Sequence, residues 1–317
     1  MASLTPFRQG RFDALPDVPR VAHGFFERET LDVDVAWGPR RRARVHVRKH
    51  GSGPPLLLLH GLMTSSYSWR YVLGPLGERF TCYAPDLPGN GKSEPCLDAS
   101  YSPASFVTWI AALQDALGIG AAPCIANSMA GYLAMHAALE GVRFERLIQV
   151  HGPGIPEARF AALGVALSLP FAHDVLGAVI ARDPERWCHR NVHYYDETLK
   201  SLEEAREYAA PLRTREGRRA LSKYLQETMA IGPMRALRDR LQARRDRAEA
   251  FPVPLMLLYA RRDPMVPARI GTEYAKLVPG ARFEWVEDAS HFAHVDAPER
   301  FLPPVLSFLN DRSRRAA

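Results

Sequence analysis

No apolar run in the 317 residues approaches the roughly 20 that a membrane span requires. The opening stretch, Met1 to Arg8, has no apolar h-region, so no secretory leader is expected. The four cysteines, Cys82, Cys96, Cys124 and Cys188, show no CxxC spacing. Cys82 and Cys124 fall on predicted buried strands, so the cysteines are expected to be reduced and structural, as in a cytoplasmic protein. Neither HExxH nor clustered His/Asp spacing occurs, which speaks against a metal site, and no cofactor is expected. Internal repeats and low-complexity segments are absent too. Positive charge is not scarce. The formal net charge is +6, concentrated in Arg40–Arg44, Arg235–Arg247 and Arg312–Arg315. No aromatic residues interleave with these clusters and no nucleic-acid motif accompanies them, so a solvated surface is expected rather than a nucleic-acid partner.

What is present is apolar content, 47% of residues, enough for a large core. Residues 1–24 carry prolines and little periodicity and are read as an extended arm. Glu29–Val35 and Arg44–Arg48 alternate as strands do, with Trp37-Gly38-Pro39 as the turn between them. Pro54–Leu59 is short and wholly apolar, which suits a strand buried on both faces. Strands near 80–84, 123–126, 146–150, 254–259 and 283–286 then alternate with helices near 104–117, 129–139, 268–277 and 297–310. Such alternation predicts an α/β fold with a mostly parallel twisted sheet covered on both faces. Residues 153–250 break the order. They are helical in character and are expected to form a cap inserted into a core made of 25–152 and 251–317. A cap over the carboxyl ends of the strands would shape a pocket where open α/β sheets bind ligands.

Chemistry is concentrated at Cys124-Ile-Ala-Asn-Ser-Met-Ala-Gly131. A strand runs into Ser128, small residues flank it at Ala126 and Ala130, and a helix follows. This is the pattern of a nucleophile elbow, G-x-S-x-G with alanine at both glycine positions. A serine alcohol is a weak nucleophile and must hand its proton to a base. Four further segments stand in order around it: Leu59-His60-Gly61-Leu62-Met63 after a buried strand, Asp86-Leu-Pro-Gly-Asn-Gly-Lys-Ser93, Arg262-Asp263-Pro264-Met265-Val266-Pro267 after another strand, and Ser290-His291-Phe292 ahead of Asp296-Ala-Pro-Glu299. The second of these lacks the spacing of a phosphate-binding loop, so nucleotide binding is not expected.

With these five segments in this order, residues 28–310 resemble the α/β-hydrolase superfamily, in its cap-bearing, esterase-like branch. The resemblance implies a triad of Ser128, His291 and Asp263, and an oxyanion hole from the amides of Leu62 and Met129. It makes the Asp86 loop structural, His60 a support of the oxyanion loop, and His294 structural rather than catalytic. Haloalkane dehalogenases and epoxide hydrolases on this scaffold carry aspartate at the elbow, so serine argues against both. What the resemblance then implies first is hydrolysis of a carboxylic ester of a small, largely apolar molecule. Second comes carbon–carbon hydrolysis of ring-cleavage products, since Asn127-Ser128-Met129 is similar to the elbow of that group. A non-hydrolytic lyase or acyltransferase, or a ligand-binding protein on this fold, remain further alternatives. Met63, Tyr67, Trp69, Asn127 and Phe292 are the candidate substrate contacts, with Phe160, Leu163, Leu167 and Phe171 of the cap. Arg182, Arg186 and Arg190 are candidates for holding a substrate carboxylate. The partner expected is the small carbonyl substrate, with a homodimer left open.

Overall fold

The structure is a computed structural model that describes residues 5–311. The tail cluster Arg312–Arg315 and the first four residues of the arm lie outside the described residues, as do the side chains of Arg40 and Arg41. The described residues form one 8-stranded sheet: β1 (Glu29–Trp37), β2 (Arg40–His50), β3 (Pro55–Leu59), β4 (Thr81–Pro85), β5 (Cys124–Asn127), β6 (Leu147–Val150), β7 (Leu255–Ala260) and β8 (Arg282–Val286), in the order β1-β2-β4-β3-β5-β6-β7-β8. β1 and β2 pair antiparallel as the predicted hairpin, and β2 joins β4 antiparallel. The other pairs are parallel. The wholly apolar runs become the middle of the sheet. Leu56, Leu57 and Leu58 of β3 and every residue of β5, β6 and β7 are buried, because helices cover both faces.

The helices start and stop where local chemistry directs. A short α1 (Leu73–Gly77) leads into β4. α2 (Pro103–Leu117) opens on Ser102, whose hydroxyl accepts from the Ser105 N–H, with Pro103 in the first turn; it closes on Gly118 at φ 65°. α3 (Met129–Leu139) follows β5 directly and is buried along nearly its whole length. Between β6 and β7 lie α4 (Ala158–Ser168), α5 (Ala172–Arg182), α6 (Pro184–Asn191), α7 (Leu202–Ala209), α8 (Arg215–Lys223) and α9 (Ile231–Asp246). A π-helical turn at Tyr224–Thr228 continues from α8. After β7 come α10 (Ala268–Leu277), then α11 (Ala293–Asp296) and α12 (Pro298–Asn310).

The helical segment is fastened to the sheet by buried polar contacts. Arg70 pairs with Glu204 of α7 at 2.6 Å, and Tyr194 donates to the same carboxylate at 2.6 Å. Tyr67 donates to Glu203 at 2.6 Å, and Tyr224 to the Pro88 carbonyl at 3.0 Å. A buried ion pair of this kind adds little net stability, but removing one partner strands the other charge. The arm crosses the same helices. Leu202 and Glu203 donate their amides to the carbonyls of Pro16 and Asp17 at 2.9 Å each, and Phe7 donates to Tyr195 at 3.1 Å.

Candidate active site

β3, β5, β7 and β8 run parallel, so the loops that leave their carboxyl ends gather along one edge of the sheet. Each candidate residue sits in one of those loops. Ser128 occupies the single-residue junction between β5 and α3 at φ 53°, ψ −123°. That conformation is sparsely populated for any residue with a Cβ. It is held from outside: the Ser128 N–H donates to the Val150 carbonyl at 2.7 Å. The hydroxyl does not cap α3, so a helix-capping role does not account for the serine. Tight packing explains the small neighbours. Ala126 and Ala130 are buried, and a Cβ on Gly131 would come within 2.9 Å of the Ala126 carbonyl oxygen.

His291 lies between β8 and α11, and its Nδ1 is 2.7 Å from Asp263 Oδ2. The other carboxylate oxygen, Oδ1, accepts from the Met265 and Val266 amides at 2.7 and 2.9 Å. Each oxygen of Asp263 therefore has its own partner, which fixes the carboxylate plane. Burial alone would raise the Asp263 pKa. The His291 ring beside it prevails, helped by His151 and the Val266 amide, and holds the carboxyl below its usual range. An ionised Asp263 accepts a hydrogen bond from Nδ1–H and leaves Nε2 as the acceptor. Asn127, next to the serine, donates to the His291 carbonyl at 3.1 Å and ties the two loops together.

Leu62 and Met129 border the same cavity as Ser128 and His291. Met129 is the first residue of α3, so its N–H has no carbonyl within the helix. His60 fixes the turn before Leu62. Its Nδ1–H donates to the Gly61 carbonyl and its Nε2 accepts from the Leu87 amide, both at 2.8 Å. Burial lowers the His60 pKa, which keeps the ring neutral and this tautomer in place. Asp86 accepts from the amides of Ser66 and Lys92 at 2.8 and 2.9 Å, as a loop-organising residue does.

The cavity has a volume of about 260 Å³. Met63 and Phe292 line it, as do Phe160 and Leu163 of α4. Other expected contacts lie elsewhere. Tyr67 and Trp69 are fully buried away from it: Tyr67 is directed to Glu203 under the arm, and Trp69 stacks on His294 at 4.3 Å. Asn127 is also fully buried and serves the His291 backbone instead of the cavity. Leu167 packs inside and Phe171 is exposed to solvent. Arg182, Arg186 and Arg190 do not reach the cavity; Arg186 pairs with Asp13 and Asp183. The arginine at the rim is Arg159, already paired with Glu157.

Sequence reasoning also missed Asn191, Val192, Leu225 and Met229, which complete the wall. Leu225 lies in the π-helical turn and Met229 just after it, a backbone irregularity that no sequence periodicity announces. His151 was passed over as well. It ends β6 at φ 51°, accepts from the Ala260 amide at 2.6 Å, and its ring centroid is 5.7 Å from that of His291. Burial drops its pKa to about 3, so it stays neutral behind the His291–Asp263 pair.

Comparison with known proteins agrees with this architecture. Residues 56–303 match the alpha/beta hydrolase family. The chain is 27% identical to a 2-hydroxymuconate semialdehyde hydrolase of Pseudomonas putida, over 84% of this chain and 90% of that one. It is 26% identical to haloalkane dehalogenase 2 of Mycobacterium tuberculosis, over 85% and 93%. Among solved structures, the epoxide hydrolase CorEH superposes with a TM-score of 0.72 at 23% identity, covering 89% of this chain and 99% of the other.

Proposed function

From the premise that this chain belongs to the alpha/beta hydrolase family, we propose that it is a serine hydrolase that cleaves a carboxylic ester of a small, largely apolar molecule. The observation that carries the proposal is the strained Ser128 opening onto the same apolar cavity as His291, whose far nitrogen is bonded to a buried, ionised Asp263. In this reading Ser128 Oγ attacks the ester carbonyl as His291 Nε2 takes its proton. The amides of Leu62 and Met129 receive the developing oxyanion, each contributing ~3 kcal/mol to the transition state. The imidazolium, steadied by Asp263, protonates the departing alkoxide. Water, deprotonated by the same ring, then releases the acyl group. The helices between β6 and β7 act as a cap that supplies the apolar wall and keeps bulk water from the acyl-enzyme.

The aspartate-based chemistries of dehalogenases and epoxide hydrolases do not suit a serine at this position. Carbon–carbon hydrolysis is the second reading. The Asn127-Ser128-Met129 elbow and the likeness to a 2-hydroxymuconate semialdehyde hydrolase favour it. Hydrolysis of p-nitrophenyl butyrate, with Ser128→Ala beside the wild type, tests the first reading. Turnover is expected to fall by about a thousandfold or more in the variant. Undiminished turnover in Ser128→Ala would overturn the serine mechanism. Cleavage of a dienone ring-fission product with no turnover of short esters would favour the second reading.

A further inference from the structure

The helices α4 and α5 depart from the usual amphipathic pattern. A surface helix normally shows polar residues to water. On α4 the exposed positions include Ala158, Ala162, Val165 and Ala166, spaced along one face, and Leu169 just beyond the helix continues that stripe. On α5 the exposed stripe includes Val175, Ala178 and Val179 and ends at Arg182. At the tip between them, Leu169-Pro170-Phe171 is exposed, Leu169 to 60% and Phe171 to 77%. Val165 and Val175 are 68% and 62% exposed. Large contiguous apolar patches of this sort mark an interaction surface.

Charge identifies the partner. A depression of about 230 Å³ adjoins α5, lined by Arg215, Arg218 and Arg219 of α8 together with His173. Asp174 is the single carboxylate lining it, 3.7 Å from Arg219. An apolar ridge beside an arginine notch matches the boundary of an anionic bilayer, with acyl chains against the ridge and phosphate against the guanidinium groups. The geometry also favours lying in the interface over spanning it. Each helix has 11 residues, ~16 Å against a hydrocarbon core of ~30 Å, and the pair is bent by 99°. Phe160 and Leu163, on the opposite face of α4, line the cavity.

We propose that the α4–α5 corner and the Arg215–Arg218–Arg219 notch dock the protein onto an anionic phospholipid bilayer. The surface does not rest on the ester reading, because vesicle binding is read without turnover. The test is co-sedimentation of the full chain with vesicles of phosphatidylcholine alone and with about 30 mol% phosphatidylserine. The chain is expected to pellet with the anionic vesicles, less so as salt rises. Leu169→Ser with Phe171→Ser is expected to weaken partitioning by about tenfold or more. Val165→Ser, on the other helix, should weaken it in the same direction. Arg215→Gln with Arg219→Gln should abolish the preference for anionic over neutral vesicles. Thermal melts of each variant verify folding. Wild-type protein that stays in the supernatant with anionic vesicles would overturn the proposal. So would a folded Leu169→Ser/Phe171→Ser variant that pellets like the wild type. Sedimentation velocity showing a dimer that the serine pair dissolves would assign the face to self-association and equally refute bilayer docking.

Discussion

Ser128 is held in a backbone conformation that only glycine adopts without cost, and that cost is measurable. Comparing Ser128→Gly with Ser128→Ala isolates it. Both variants remove the hydroxyl, which does not cap α3, and both keep the amide that donates to Val150. They differ in the Cβ. A residue with a Cβ in such a region costs of order 1–3 kcal/mol. Glycine gives back ~0.5–1 kcal/mol through the greater freedom of its unfolded chain. The glycine variant should therefore be more stable than the alanine variant by roughly 1 kcal/mol. For 317 residues the unfolding entropy is about 0.7 kcal/mol/K, so the melting midpoints should differ by ~2 °C. Differential scanning calorimetry on the two proteins reads the gap. Equal midpoints, or a lower one for glycine, would show that the elbow stores no strain and would remove the physical reason for placing the nucleophile there.

Asp263→Asn should lower kcat for a short ester by about ten-thousandfold, as loss of the tautomer-fixing carboxylate does in serine triads, while the fold survives; near-normal kcat would exclude this acid. Gly61→Ala should depress kcat more than it depresses the melting point, because the new Cβ would lie 3.0 Å from both Ser128 Cβ and Asn127 Oδ1. A large loss of stability with kcat intact would contradict that placement. Acid should unfold the protein early. Burial lowers the pKa of His60, His136, His151 and His294 below the usual 6.5, to about 4 for His136 and about 3 for His151. Their stabilising contribution is whole above pH ~6.5 and is lost as pH falls toward those folded values. Asp296, raised by burial to about 7, works in the opposite sense between its unfolded value of 3.8 and 7. The depressed histidines outnumber it, so unfolding takes up protons and stability should fall as pH drops from 7 to 5. Urea midpoints that stay flat from pH 7 to pH 5 would contradict this.

Much of the fold was legible because its signals are local. α3 begins and ends at the residues its sequence indicates, Met129 and Leu139. The apolar runs of β3 and β7 mark strands buried on two faces, and Ser102-Pro103 and Gly118 mark the ends of α2. The pairing of Asp263 with His291 followed from motif order. Side-chain direction was not legible. Tyr67 and Trp69 follow the His60-Gly61 turn closely, so proximity to the cavity was the natural expectation. A 3-10 turn at Ser66–Trp69 aims them instead at Glu203 and His294, partners from distant parts of the chain. The cavity wall was equally hidden. α4 turns apolar residues both into the cavity and out to solvent, so no polar face distinguishes its lining from its exterior.

β6 and β7 are hydrogen-bonded neighbours, yet the whole helical segment is threaded between them. During synthesis Ser128 therefore emerges long before His291. At ~5–20 residues per second, roughly ten to thirty seconds separate Ser128 from His291 on the ribosome. Ser128 and His291 therefore cannot meet until the residues beyond β8 have been made, so the sheet must be all but complete before the site exists.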